Sequence, residues 1–488
     1  MQAGGCGNGL RIFHKQGKPM KILITIWVVL LSVACTGVQA ARPAIHLEAE
    51  NGQLMDTSVS TSFPGYTGSG YVTGFTKDDS KVMLTFNAAG GLYTLRLRYR
   101  TPSGVKGYDL KIGGVGSSGM FGATSHWAEL TTGKVDLKSG QNTLEIDKGW
   151  GWFEIDSVDL VPTGPDPVPR KLKPALIDPK ATTAARRLMA YLVSGYGGRT
   201  LSGQYDWNDA QYIKQSTGKY PAILGGDFMD YSPSRIANGA NPKDTTEQMV
   251  QKGRQGWIVT TSWHWNAPKD LINSSAQPWY KGFYTSATSF DLQYAMSHPD
   301  SDDYKLILRD IDAIAIQLKK FSDAGVPVLW RPLHEASGGW FWWGAKGPEP
   351  FKALWRLLYD RLTNYHHLHD LIWVYTDGDP NWYPGDSYVD VVGIDAYPSD
   401  PNDPLSGQWE DEMRRFDGKK LVAITEFGGV PNVSKMWSFG ARWAYWVSWT
   451  GDLGPHKMTA QQLDQIYGLS RVTTHDKLPP TFFLNKSH

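Results

Sequence analysis

Eight short runs in the C-terminal part of the chain, at 200–207, 221–228, 257–265, 327–335, 371–376, 389–397, 421–427 and 443–449, are strand-like, and several (VLWR, LIWVY, VDVVGI, LVAIT) are apolar without alternation. Strands that are apolar at every position are buried on both faces, the condition of a parallel sheet covered by helices. Helical periodicity falls between most of them, clearest over 307–322 and 350–365. Eight such units over roughly 300 residues predict an α/β domain closed as a (β/α)8 TIM barrel. The competing open, doubly wound sheet wants a Gly-rich turn after its first strand, and Tyr205-Asp206-Trp207-Asn208 is not one.

The chain is 488 residues long, more than one ordinary core accommodates. Residues 41–162 show period-two alternation, as in 82–86 and 92–99, broken by Gly, Ser and Asp-rich turns. That pattern predicts an all-β sandwich of the jelly-roll kind. Between the two patterns, PTGPDPVPRKLKP carries five prolines and no apolar periodicity, so 163–174 reads as a stiff, extended spacer and 175–480 as the barrel.

Lys15, Lys18 and Lys21 precede an apolar run at 22–34, and Val38-Gln39-Ala40 offers small residues for signal peptidase, so 1–40 reads as a secretory signal cut after Ala40. Met20-Lys21 would itself open a compact signal, which leaves the first 19 residues as an upstream extension or a misassigned start. The run is short for a membrane anchor, and Ser32-Val33-Ala34 is a poor approach to a lipid-anchored Cys35. Cys6 and Cys35 both fall in the removed segment, so the mature chain is expected to lack disulfides, thiolate catalysis and Cys-ligated zinc. With 49 Lys+Arg against 48 Asp+Glu there is no basic field to select nucleic acid or an anionic membrane. A secreted, extracellular monomer is expected, without membrane association once the signal is removed.

Barrel enzymes place their chemistry at the C-terminal ends of the strands. The fourth run ends Arg331-Pro332-Leu333-His334-Glu335 and the seventh Thr425-Glu426-Phe427-Gly428, so two glutamates 91 residues apart face one mouth. Such a pair supplies what retaining glycoside hydrolysis needs, one carboxyl to protonate the leaving oxygen and one, ~5–5.5 Å away, to attack the anomeric carbon. A single Glu at a strand end is ordinarily solvated or ion-paired. Here other strand ends carry Trp263-His264-Trp265-Asn266, Asp395-Ala396-Tyr397 and Trp446-Val447-Ser448-Trp449, and Trp340, Phe341, Trp342 and Trp343 crowd behind Glu335. Flat aromatics cover the apolar faces of sugar rings, polar tips bind hydroxyls, and apolar walls raise the pKa of a catalytic acid. His334-Glu335 lacks the second histidine of a zinc-protease helix, and there is no GxSxG elbow or Walker loop. No cofactor is expected for catalysis. His366, His367 and His369 read as a helix-end cluster away from the mouth.

RPLHEASGGWFWWG at 331–344, with TEFG at 425–428, TSWHWNAP at 261–268 and GIDAYP at 393–398, resembles glycoside hydrolase family 26, whose members are mostly endo-β-1,4-mannanases on a (β/α)8 barrel. The resemblance spans about 174–472. It implies Glu335 as acid/base and Glu426 as nucleophile. It also implies His264, His334, Trp340, Trp343, Tyr397 and Trp449 around the sugar, with Arg331 and Asp395 supporting them. Ser337 and Gly338 stand where many members carry Asn. The long segment at 266–302, with Trp279, Tyr280 and Phe283, is expected to wall the cleft or to pack as a peripheral insertion.

HLEAENG at 46–52 and GWGWFEIDSVDL at 149–160 resemble a family 35 carbohydrate-binding module. That resemblance implies a structural calcium site at Glu48, Glu50 and Asp156, and Glu48 and Glu50, two apart on a strand, share a face where like charges call for a cation or a basic partner. Trp150 and Trp152, then Tyr66 and Trp127, are the expected sugar contacts of this module. The function expected is a secreted, retaining endo-β-1,4-mannanase acting on mannan, glucomannan or galactomannan. The alternatives are a β-1,3-xylanase or mixed-linkage glucanase of the same family, or a non-catalytic polysaccharide binder.

Overall fold

The computed structural model describes residues 42–479. The expected signal segment lies outside the described residues. Residues 45–162 form two packed antiparallel sheets. One runs Ser58–Ser60, Tyr71–Thr73, Glu154–Pro162, Gly91–Thr101 and Thr124–Leu137, with Ile45–Glu48 also paired to Glu154–Pro162. The other runs Gln53–Met55, Lys81–Ala88, Gly140–Asp147, Lys106–Ile112 and Val115–Phe121. Alternation sets the core: Val82, Leu84, Leu95, Leu97, Leu144, Ile146, Val158 and Leu160 point between the sheets and are buried.

The eight expected strands close into a parallel barrel in chain order: Gly203–Tyr205, Ile223–Asp227, Ile258–Trp263, Val328–Pro332, Leu371–Thr376, Val391–Ala396, Leu421–Phe427 and Trp446–Ser448. The first and last are shorter than the sequence pattern suggests. Thr200–Leu201 leaves the barrel to pair with Val472–Thr473, and Gly203 resumes it where backbone passes so close to Trp446 O that a Cβ would lie 2.5 Å from it. The helix expected at 307–322 extends over Asp302–Asp323. Ser301 Oγ accepts from the Tyr304 N–H and caps its start, and Ile307, Ile311, Ile314, Leu318 and Phe321 form the buried stripe. Each of those side chains stabilises by roughly 1.5–3 kcal/mol. The other expected helix runs Pro348–Tyr359 and ends in a wider turn over Asp360–Tyr365, where His366 reaches Asp312 at 2.6 Å.

The proline-rich stretch departs from expectation. It has no regular structure, yet it does not stand off as a spacer: the Asp166 N–H donates to Phe439 O at 3.0 Å and Arg170 pairs with Asp417 at 2.7 Å, so it lies along the barrel. The sandwich docks there too. Ser406 Oγ, at the start of the helix Ser406–Phe416, accepts from the Lys134 N–H at 2.7 Å. The buried Lys134 ammonium binds Asp166 at 2.6 Å and Glu410 at 2.5 Å, so one charge ties sandwich, connecting stretch and barrel together. Gly133 and Gly407 make the approach possible, since a Cβ on Gly407 would lie 2.5 Å from Thr132 O. Gly407→Val is therefore expected to unseat the sandwich while leaving the barrel folded, read as rapid proteolysis within 163–174 that the parent chain resists.

Candidate active site

The strand Val328–Pro332 delivers its functional side chains through strained backbone. Leu333 and Glu335 both take left-handed conformations, with φ of 50° and 54°, a conformation that costs a non-glycine residue about 1–3 kcal/mol. Surrounding structure over-determines them. Leu333 is buried, the Glu335 N–H donates to Thr376 O at 3.1 Å, and the Ser337 N–H donates to Asp377 Oδ2 at 2.7 Å. The loop then folds back so tightly that a Cβ on Gly344 would lie 1.9 Å from Ala336 O. Across the mouth the ladder between the sixth and seventh strands shifts register at Ile394/Asp395, and the next one shifts between Ile424 and Phe427. Such irregularities re-aim side chains, here Asp395 and Glu426.

One ligand oxygen from each of Glu335, Asp395 and Glu426 lies within 4.8 Å of the others. The spacing would suit a metal, but Arg331 already supplies the cation. Its buried guanidinium donates to Glu426, to Asp395 Oδ2 at 2.7 Å and to the Tyr205 hydroxyl at 3.0 Å. Asp395 Oδ1 also accepts from Thr425 Oγ1 at 2.9 Å, and Tyr397 Oη donates to Glu426 Oε1. Burial raises the pKa of both glutamates, and the neighbouring carboxylates add to it. Glu426 alone is opposed by direct bonds from Arg331 and Tyr397, so it ionises first. Glu335 receives only the Trp340 indole N–H, at 3.0 Å, against its burial and the charges of Asp395 and Glu426, and its pKa is pushed up to about 8. The two carboxyls are thereby set for different work.

A second chain of groups borders the pair. Asp227 accepts from the His264 ring Nδ1 at 2.5 Å and from the His264 N–H at 3.1 Å. Burial opposes this carboxylate, but His264 and Ser262 outweigh it and hold it down at about 2. His264 Nε2 then faces His334 Nε2 at 3.2 Å. With the tautomers assigned from these partners, His334 donates and His264 accepts. Burial, Arg331 and His264 push the His334 pKa well below its ordinary value and keep it neutral.

The aromatic walls follow. Trp340, half exposed, lies against Gly338, where a Cβ would sit 2.0 Å from its ring, so this glycine is the floor on which the indole rests. Tyr397 is exposed at the rim, and Trp449 packs 5.1 Å from Tyr205 and 5.9 Å from His264. Phe283 reaches within 5.1 Å of His264, and Tyr284 stacks on Phe341 at 5.6 Å with the Thr285 N–H bonded to Trp340 O at 2.7 Å. The 266–302 segment therefore stands beside Trp340 as a wall. Trp343 is a correction: it is 0% exposed, stacked under Phe341 at 4.5 Å with Nε1 donating to His334 O, so it supports the wall and reaches no sugar. Asp227, Tyr205 and Tyr284 were missed. The first two end barrel strands, and a full roll of strand ends would have found them. A groove of about 750 Å³ continues past Tyr205, Asp227 and Trp449 toward Trp207 and Gln248.

In the sandwich the expected sugar contacts fall into two groups. Trp150 and Trp152 are 63% and 60% exposed on the loop before Glu154–Pro162, and Trp152 has a φ of 63°. Trp127 and Tyr66 flank Tyr71 elsewhere, with Arg98 and Arg100 over the Trp127 ring. At the expected cation site, Asp156 accepts from Arg98 and from Thr67, and Glu48 accepts from the same Thr67 hydroxyl at 2.7 Å, so basic and hydroxyl partners share these carboxylates. Glu48 and Glu50 remain together around Gly68, and Glu50 Oε2 is buried without a hydrogen-bond partner, an orphan that suits a hard cation.

Comparison with known proteins agrees with this geometry. Residues 177–477 match glycosyl hydrolase family 26 and residues 45–163 match carbohydrate binding module family 35. A mannan endo-1,4-β-mannosidase of Thermothelomyces thermophilus is 44% identical over 85% of this chain and 86% of its own length. Mannan endo-1,4-β-mannosidase A of Piromyces sp. is 30% identical over 95% and 76%. The crystal structure of a Podospora anserina GH26-CBM35 β-(1,4)-mannanase superimposes with a TM-score of 0.64 at 41% identity, covering 89% of this chain and 98% of that one. Two glutamates facing each other at one mouth of a closed barrel agree with the family match across 177–477, and by that match the chain belongs to glycosyl hydrolase family 26.

Proposed function

We propose that the chain is a secreted, retaining endo-β-1,4-mannanase. The observation that carries the reading is the approach of Glu335 and Glu426 to within 4.8 Å. Inverting hydrolases keep their carboxyls ~6.5–9.5 Å apart to seat a water between them, so this gap favours double displacement. Glu335 gives its proton to the leaving glycosidic oxygen as Glu426 attacks the anomeric carbon, forming a glycosyl ester. Glu335, now ionised, takes a proton from the water that releases the sugar. Arg331 and Tyr397 favour the charged form of Glu426 and aim it, the Asp227–His264–His334 chain walls the cleavage point, and Trp340 and Trp449 cover the faces of the sugar. The names of the relatives support β-1,4-mannan as the backbone attacked, and galactomannan and glucomannan are the expected soluble substrates.

Glu426→Ala is expected to lower kcat on soluble mannan by on the order of 10⁴-fold or more. Proton NMR of the first product of the parent enzyme should show the β-anomer. Undiminished turnover in the variant, or an α-anomer first, removes the mechanism; a panel with xylans and mixed-linkage glucan separates the substrate question from it.

Catalysis needs Glu426 ionised and Glu335 protonated. kcat/KM should therefore rise as pH climbs through the Glu426 titration and fall as it passes that of Glu335. Tyr397→Phe deletes a bond to the charged form of Glu426, raises its pKa and moves the acid limb to higher pH, leaving the alkaline limb nearly in place. A Tyr397→Phe profile with an unmoved acid limb contradicts this assignment.

For the sandwich we propose carbohydrate binding through Trp150 and Trp152 and a structural calcium ion held by Glu48 and Glu50. Bound calcium would neutralise the two adjacent carboxylates and fix the turn at Gly68. Calcium is expected to raise the melting temperature of the full chain by several degrees relative to chelator, and Glu50→Gln to abolish the difference.

A further inference from the structure

The docking of sandwich on barrel leaves a cleft of about 390 Å³ between them, within the size range of small-ligand sites and at a junction where such sites favour forming. Tyr108 and Ser118 line it from the sandwich; Asp403, Gln408, Asp411 and Lys435 line it from the barrel. Tyr108 lies on Lys106–Ile112 and is only 5% exposed, yet its hydroxyl makes no hydrogen bond within the described residues. The ring crosses Gly119 of the neighbouring strand so closely that a Cβ there would lie 2.2 Å from the hydroxyl, and it thereby carries that hydroxyl into the cleft. Across from it Asp403, also buried, uses Oδ1 to accept from the Leu405 N–H at 2.8 Å. The Tyr108 hydroxyl and the second Asp403 oxygen, with no hydrogen-bond partner among the described residues, open on the cleft and are left to bond a ligand that offers donors and acceptors.

The lining also says what kind. Three carboxylates, Asp136, Asp403 and Asp411, against the ammoniums of Lys435 and of Lys134, the latter already held by Asp166 and Glu410, select no anion, while Val115, Met120 and Phe439 supply apolar surface beside the polar groups. Apolar faces edged by donors and acceptors describe a neutral sugar. The cleft adjoins the loops that follow the fifth and sixth barrel strands. Gly378 lies next to Asp377, which holds the Ser337 N–H, and the loop to Asp403 begins at Tyr397, so the cleft borders the rim that carries the catalytic pair. We propose that this cleft is a second carbohydrate site for one or two neutral hexose units, assembled only when sandwich and barrel are docked. It is distinct from the exposed Trp150 and Trp152 loop, and it rests on the mannanase reading only for the choice of sugar.

The test uses the full chain carrying Glu335→Gln, titrated calorimetrically with mannobiose and in parallel with cellobiose and xylobiose. If the mannan reading fails, the heat moves to another disaccharide and the site question stays answerable. Adding Gln408→Trp, which fills the cleft from the barrel side, should remove one equivalent of bound disaccharide with the melting temperature and the other equivalents kept. Adding Tyr108→Phe instead should weaken that equivalent about fivefold. Unchanged stoichiometry with Gln408→Trp overturns the proposal. So does a Tyr108→Phe isotherm that superimposes on its parent, and this second variant decides alone if the tryptophan unseats the sandwich.

Discussion

The buried guanidinium of Arg331 is the interaction on which the mouth of the barrel depends. It reaches from the fourth strand to Tyr205 on the first, Asp395 on the sixth and Glu426 on the seventh, so one side chain ties four strands at their catalytic ends. Two carboxylates this deep and this close repel strongly, and a buried charge left without a partner destabilises by several kcal/mol. The planar fork of arginine satisfies both at once and has donors left for the phenol, which a lysine ammonium would not match. The same bonds set the chemical asymmetry: the glutamate that holds Arg331 is the one whose charged form is favoured.

Strain is the other side of that arrangement. Leu333 and Glu335 occupy backbone conformations that side chains usually avoid, and register shifts bend the strands opposite. Buried Leu333, the Thr376 carbonyl and the Asp377 carboxylate hold that backbone in place. Glu335 is thus fixed in position before any substrate arrives, which suits the acid role proposed for it, since orientation lowers a barrier in advance.

Much of this was legible in the chain. Continuous apolar runs disclosed the barrel because parallel strands buried on both faces leave no other pattern, and strand-end positions placed Glu335 and Glu426 at one mouth, where they meet. The positions that went astray share a physical cause. Trp343 belongs to a run of aromatics in which composition is uniform, and only the reversal at Gly344 decides which ring faces the cleft and which faces the core. The bond of Asp156 to Arg98 spans 58 residues and two strands, so local sequence does not show it. The proline-rich stretch has the composition of a spacer, and what pins it, Phe439, Asp417 and Lys134, is distant in sequence. Tyr284 and Tyr108 act through tertiary neighbours that no local pattern announces.

The clasp formed by Lys134, Asp166 and Glu410 carries a consequence for the history of the chain. Carbohydrate-binding appendages are commonly pictured as interchangeable cargo on a tether. Here the appendage supplies the cation for acids contributed by its neighbours, and the contact at Gly133 and Gly407 admits no side chain on either surface. A foreign sandwich grafted at the same point would meet two orphaned acids and a seat cut to the wrong shape. The two halves of this enzyme are bound to diversify together, as a matched pair rather than as separable parts.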